Sequence, residues 1–111
     1  MSIFAAGTTT FAARTPPIVV KRPLPGARIG SRVTVSGTAN VFEAQLSVDL
    51  VSAKGKVLVH RNVHATAGTG TRGTFSVTIP VPRGVTRIVA YARSPKDGSK
   101  IDVVSVPVTR V

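Results

Sequence analysis

The chain has no cysteine, no tryptophan, a single tyrosine and only four acidic residues among its 111. Each shortage excludes something. Without cysteine there is neither a disulfide framework nor a thiolate metal site, so stability rests on packing. Glu43, Asp49, Asp97 and Asp102 are the only carboxylates. A general acid/base pair needs two of them to converge in a cleft, and nothing in their spacing brings two together. Each reads as a local hydrogen-bond or ion-pair partner, with Glu43 suited to accepting backbone N–H groups or pairing with an arginine at a chain corner. Serines are plentiful, yet no G-x-S-x-G elbow occurs. No run approaches the ~18 apolar residues of a transmembrane helix, and the N-terminus lacks the basic flank and apolar core of a secretory signal. The expectation is a non-enzyme with no catalytic, cofactor-binding or metal-ligating set.

What the chain does have is basic charge and β-branched residues. Fifteen Lys and Arg give a formal charge of +11, which attracts polyanions, anionic surfaces or an acidic protein. The basic residues are scattered and form no block of five or six, so they make no basic tail. Single-strand nucleic-acid binders interleave basic residues with stacking aromatics. Here only Phe42 and Tyr91 fall outside the N-terminal segment and the expected core, so specific nucleic-acid binding is not expected.

The apolar residues alternate. Val33 and Val35 alternate with Thr34 and Ser36, and Leu46, Val48 and Leu50 with Gln45, Ser47 and Asp49. A period of two means strands with one buried face, and the segment 37–43 between them reads as a corner. The same reading gives strands at 18–22, 29–37, 44–51, 57–65, 74–79, 86–92 and 100–110, separated by turn signals such as Ala53-Lys54-Gly55 and Asp97-Gly98. Gly30 and Gly37 mark a bulge or a close approach of backbones, Pro107 an edge or bulge, and Arg61 a rim position or a bulge. Residues 86–92 carry apolar residues on both faces, as a central strand does. The predicted fold is all-β, an immunoglobulin-like antiparallel sandwich of about seven strands over residues 18–111.

Two patterns fail on context. Gly68-Thr-Gly-Thr-Arg-Gly73 matches G-x-G-x-x-G, with Asp97 further along, but a dinucleotide site needs that loop to open a helix, and residues 74–79 read as a strand. His60 and His64 share a strand face about 13 Å apart, too far for one metal ion. Arg72 in this loop, with Arg83 and Lys96 in two others, are the candidate partner-binding residues of the loops.

Three separated pieces, Val35-Ser-Gly-Thr-Ala-Asn-Val-Phe-Glu-Ala44, Gly68-Thr-Gly-Thr-Arg-Gly-Thr-Phe-Ser-Val77 and Tyr91-Ala-Arg-Ser-Pro-Lys-Asp-Gly-Ser99, resemble the Gmad2 domain family. The resemblance runs from about Ile18 to Val108. It implies an immunoglobulin-like module of bacterial proteins, often exported and often linked to sporulation and germination, with a binding or scaffolding role and no known catalytic residues.

Residues 1–17 are small, polar and aperiodic apart from Phe4 and Phe11. They read as an extended arm, with Phe4, Phe11 and Arg14 anchoring it to a neighbouring chain, or else folded along its own sandwich. The functional expectation is a non-catalytic structural or interaction protein, decorating or built into a multi-copy assembly such as a bacteriophage virion and attached by its arm to protein partners. The alternative is a cell-surface or extracellular adhesion module of an exported bacterial protein, binding anionic glycan or a protein.

Overall fold

A computed structural model describes residues 15–111. Their alternating sequence forms eight strands: β1 Ile18–Arg22, β2 Ala27–Ile29, β3 Arg32–Ala39, β4 Gln45–Ser52, β5 Val57–His64, β6 Gly73–Pro80, β7 Val85–Arg93 and β8 Lys100–Arg110. They make two sheets, ordered β1-β3-β6 and β2-β8-β7-β4-β5. The all-β immunoglobulin-like sandwich is thus as expected, with one correction. The expected strand 29–37 is divided: Ala27–Ile29 pairs parallel with β8 in the larger sheet, while Arg32–Ala39 pairs antiparallel with β1 and β6 in the smaller. Gly30 lies at this crossing rather than in a bulge, and the β2–β8 pair is the one parallel pairing among the described strands.

The core forms where the two inner faces meet. Val33 and Val35 of β3, Phe75 and Ile79 of β6, Leu46, Val48 and Leu50 of β4, Ile88 and Ala90 of β7, and Val106 and Val108 of β8 are all buried. Each Val, Leu, Ile or Phe so enclosed contributes roughly 1.5–3 kcal/mol of burial. Gly37 is the predicted close approach: a Cβ there would overlap the Val19 carbonyl of β1. β1 bulges beside it, between Val20 and Arg22.

The remaining irregularities also have local causes. Pro107 accepts the Gly26 N–H on its carbonyl at 2.7 Å. In a strand the N and C=O of one residue point to the same side, so its missing donor faces away from β7, just before β2 begins to pair at Val108. Arg61 lies opposite Val48 on the core-side parity of edge strand β5, and is exposed with no bulge at that register. It is a rim position, and an inward-parity charge on an edge strand discourages edge-to-edge pairing.

The topology defines two ends. The chain's entry at Pro17, the corner between β3 and β4, the β5–β6 loop and the β7–β8 hairpin share one end, here the arm-side end. The turns at 23–26, 53–56 and 81–84 share the other. No helix among the described residues is long and apolar enough to cross a membrane.

Ile88 is fully buried between β4 and β8, so Ile88→Ala is expected to cost about 2–5 kcal/mol. Gly37→Ala is expected to cost more than ~1 kcal/mol by displacing β1. Urea unfolding followed by the fluorescence of the one tyrosine measures both.

Candidate functional site

The corner from β3 to β4 is built from strained backbone. Phe42–Ala44 make a single 3-10 turn in which the Ala44 N–H donates to the Val41 carbonyl at 3.0 Å. Glu43 (φ 54), Ala44 (φ 59) and, across from them, Thr69 (φ 51) are left-handed without being glycine, which costs roughly 1–3 kcal/mol each. The surroundings enforce it. The Val41 carbonyl also accepts the Thr69 N–H at 2.9 Å, Glu43 N–H donates to Thr69 Oγ1 at 2.8 Å, and Gly70 N–H donates to Asn40 Oδ1 at 2.9 Å. A Cβ on Gly68 would stand 2.5 Å from the Val41 carbonyl oxygen and the Ala44 nitrogen, so only glycine lets loop and corner close on each other. Corner and loop are one unit.

That unit holds the chain at residues 16 and 17, where it enters the sandwich. Arg72 donates from Nη1 to Thr38 Oγ1 at 3.0 Å and from Nη2 to the Pro16 carbonyl at 2.6 Å, while Asn40 N–H donates to the Pro17 carbonyl at 2.8 Å. Beside it, the hairpin Ser94–Ser99 closes through Ser94 N–H to the Ser99 carbonyl at 2.8 Å. Asp97 accepts the Ser99 N–H and hydroxyl at 3.0 and 2.7 Å, and these bonds hold its carboxyl below the usual carboxylate range. Beside the corner, over the start of β4, the end of β5 and the last residue of β7, opens a depression of about 230 Å³, with Phe42, Glu43, Gln45, Asn62, His64 and Arg93 among its walls.

The floor continues into a polar network on the outer face of the larger sheet. Asp49 points away from the core yet is only 3% exposed. His60 Nδ1 lies 2.6 Å from its Oδ1, and the Tyr91 hydroxyl donates to its Oδ2 at 3.1 Å. Asn62 Oδ1 lies 3.2 Å from His60 Nε2 and accepts the Ser47 hydroxyl at 3.3 Å. Lys100 Nζ and the Arg93 guanidinium lie 4.7 and 5.4 Å from the centre of the Tyr91 ring, within cation–π range. Burial first, and then the Asp49 charge and hydrogen bond, push the Tyr91 hydroxyl above its ordinary value.

The sequence-level candidates are distributed as follows. Phe4, Phe11 and Arg14 lie outside the described residues. Arg72 and Lys96 stand at the arm-side end, Arg72 with its guanidinium committed to the chain itself, and Arg83 stands in the 81–84 turn at the opposite end. The loop 68–73 feeds strand β6, not a helix. Two readings need correction. Glu43 serves the corner through its backbone N–H, not its carboxylate, because the left-handed turn aims that N–H at Thr69. Tyr91, expected outside the core, is buried at 1% exposure, because Asp49 holds its hydroxyl down and two cations cover its ring on the outward side of β7. Sequence reasoning missed the Asp49–His60–Tyr91 cluster. Its one available signal was an acid in mid-strand, in a chain with only four.

The three pieces 35–44, 68–77 and 91–99 thus converge at the arm-side end. The model of a family described as the immunoglobulin-like domain of bacterial spore germination matches residues 17–99, a span from β1 through the Ser94–Ser99 hairpin. None of the curated proteins matches the chain.

Because Tyr91 is the one tyrosine, absorbance at ~295 nm titrates it alone, and its ionisation is expected above the usual value of about 10. The folded state then binds the more protons, so the contribution of Tyr91 to stability is constant below pH ~10 and is lost as pH rises through the folded value. Tyr91→Phe removes this alkaline loss and costs about 1–3 kcal/mol by leaving Asp49 a donor short; melting curves across pH check it.

Proposed function

The chain belongs to the Gmad2 family of immunoglobulin-like domains, and on that basis we propose that it is a non-catalytic binding module of an exported or surface-displayed bacterial protein, engaging an anionic partner through its arm-side end. The observation that carries this reading is convergence. The three pieces that carry the family resemblance, 35–44, 68–77 and 91–99, lie far apart in the chain yet meet at the arm-side end, where Phe42, Glu43 and Arg93 line one depression. Glycine and left-handed backbone there serve shape rather than stability.

Charge gives the reading its direction. Of the four acids, Asp49 is held by His60 and Tyr91, and Asp97 by Ser99 within the hairpin turn. The basic residues keep their excess for a partner, and such an excess raises the local concentration of anions and their association rate.

The narrower reading, a virion protein in which residues 1–17 tie many sandwiches to a capsid or tail through Phe4, Phe11 and Arg14, draws on one observation. Residues 16 and 17, from which that segment would extend, are clasped by Arg72 and Asn40. The family description favours the exported module.

Retention on immobilised polyglutamate and heparin distinguishes these readings. Arg93→Gln with Lys96→Gln at the arm-side end is expected to weaken binding about tenfold, and Lys54→Gln with Lys56→Gln at the opposite end by less than about twofold. Equal effects would reduce the interaction to net charge. Deleting residues 2–14 is expected to leave retention unchanged for the exported module, whereas attachment through the arm requires that it be lost.

A further inference from the structure

We propose that the depression at the arm-side end is a subsite for one carboxylate-bearing sugar residue of a glycan. This deepens the anionic-binding function above and rests on it.

The walls carry planar polar groups with bonding capacity to spare. Asn62 uses its Oδ1 on Ser47 and His60, leaving its Nδ2. Arg93 uses Nη1 on the Gly98 carbonyl at 3.0 Å, leaving Nε and Nη2. The Gln45 amide and the Glu43 carboxylate take no side-chain hydrogen bond among the described residues, and both face the same space. Amides, carboxylates and guanidinium groups can engage two neighbouring hydroxyls at once. A sugar ring offers such hydroxyls in adjacent pairs.

The exposed apolar side chain is one ring at the rim, the Leu46 and Val63 side chains of the wall being buried. Phe42 is half exposed, and its electron-rich face suits the C–H face of a pyranose. An extended peptide would instead require successive apolar pockets for alternate side chains. At about 230 Å³ the space falls below the ~300–1,000 Å³ that drug-sized ligands occupy, a size for one ring rather than several.

Charge specifies an acidic sugar. Arg93 and Lys100 face each other across the β7–β8 ladder, both over the Tyr91 ring. The nearest buried carboxylate, Asp49, is already spent on His60 and Tyr91. A ligand carboxylate in the depression meets the Arg93 guanidinium in its wall, with Lys100 opposite Arg93 across the ladder, while Glu43 accepts from the sugar hydroxyls.

The test is calorimetric titration of the full chain at ~0.15 M salt with a hyaluronan tetrasaccharide, a galacturonate tetramer and a muramate-containing disaccharide, beside the uncharged chitin tetrasaccharide and hexaglutamate. At least one acidic saccharide is expected to bind, with affinity lowered about tenfold when its carboxyl is reduced to the alcohol. Phe42→Ala and Gln45→Ala alter exposed side chains. Each is expected to weaken that saccharide about tenfold while leaving the melting temperature unchanged. Equal binding of the chitin tetrasaccharide, or saccharide binding indifferent to both substitutions, overturns the subsite. So does failure of every saccharide while hexaglutamate still binds and responds to Arg93→Gln with Lys96→Gln, and in that case the anionic-binding function stands. Failure of every saccharide together with hexaglutamate binding that ignores those two substitutions removes both.

Discussion

Packing of two sheets against each other, with no covalent link to assist it, is the constraint on which every other feature rests. The layer of Val, Ile and Leu between the sheets must be continuous because no disulfide compensates for a gap. The backbones are brought together accordingly: β1 lies so close to β3 that position 37 admits no side chain. The chain changes sheets at Gly30-Ser31 and again through the Asn40–Ala44 corner, and both crossings carry buried anchors, Ile29 and Val33 flanking the first and Ala39 and Val41 the second. Strain in the corner is tolerated because the residues around it are fixed by this core.

From that frame follows a division between the outer faces. On the smaller sheet the register sets Thr34 opposite Thr78, Ser36 opposite Ser76 and Thr38 opposite Thr74, short hydroxyl side chains that stabilise the pair and leave the surface smooth. On the larger sheet the outward residues of β4 are covered, and an acid, a histidine and a tyrosine close a network over them. The chemistry of the molecule is concentrated on this second face and at the end where it meets the corner. A carboxylate buried there is tolerable because it has partners on both oxygens.

How much of this was legible differs from residue to residue, for physical reasons. Strict alternation at Val33–Val35 and Leu46–Leu50 announced strands directly, because side-chain direction in a strand is a local property. The split of 29–37 was hidden by the same alternation. Ile29, Val33 and Val35 share one parity and are all buried, broken only by the exposed Ser31, so the pattern hides a change of sheet that depends on pairing with β8, some eighty residues away. The Asp49 cluster was hidden because its members come from three strands, 11 and 42 residues apart, and burial of an outward side chain depends on which neighbours the sheet supplies. The corner was legible as a corner. Its left-handed Glu43 and Ala44 were not, since neither residue type advertises that conformation, and only the reciprocal closeness of Gly68 explains them.

The route of the chain through the sandwich has a mechanical meaning. Residue 17 stands at the arm-side end and residue 111 at the other, where the Val111 N–H donates to the Ile29 carbonyl at 2.9 Å. Tension applied between these points runs along β1 and β8, parallel to the strands and across their ladders. The hydrogen bonds joining β1 to β3, and β8 to β7 and β2, then resist together in shear instead of opening in succession like a zip. A load on this domain is therefore carried lengthwise, by many ladder hydrogen bonds at once.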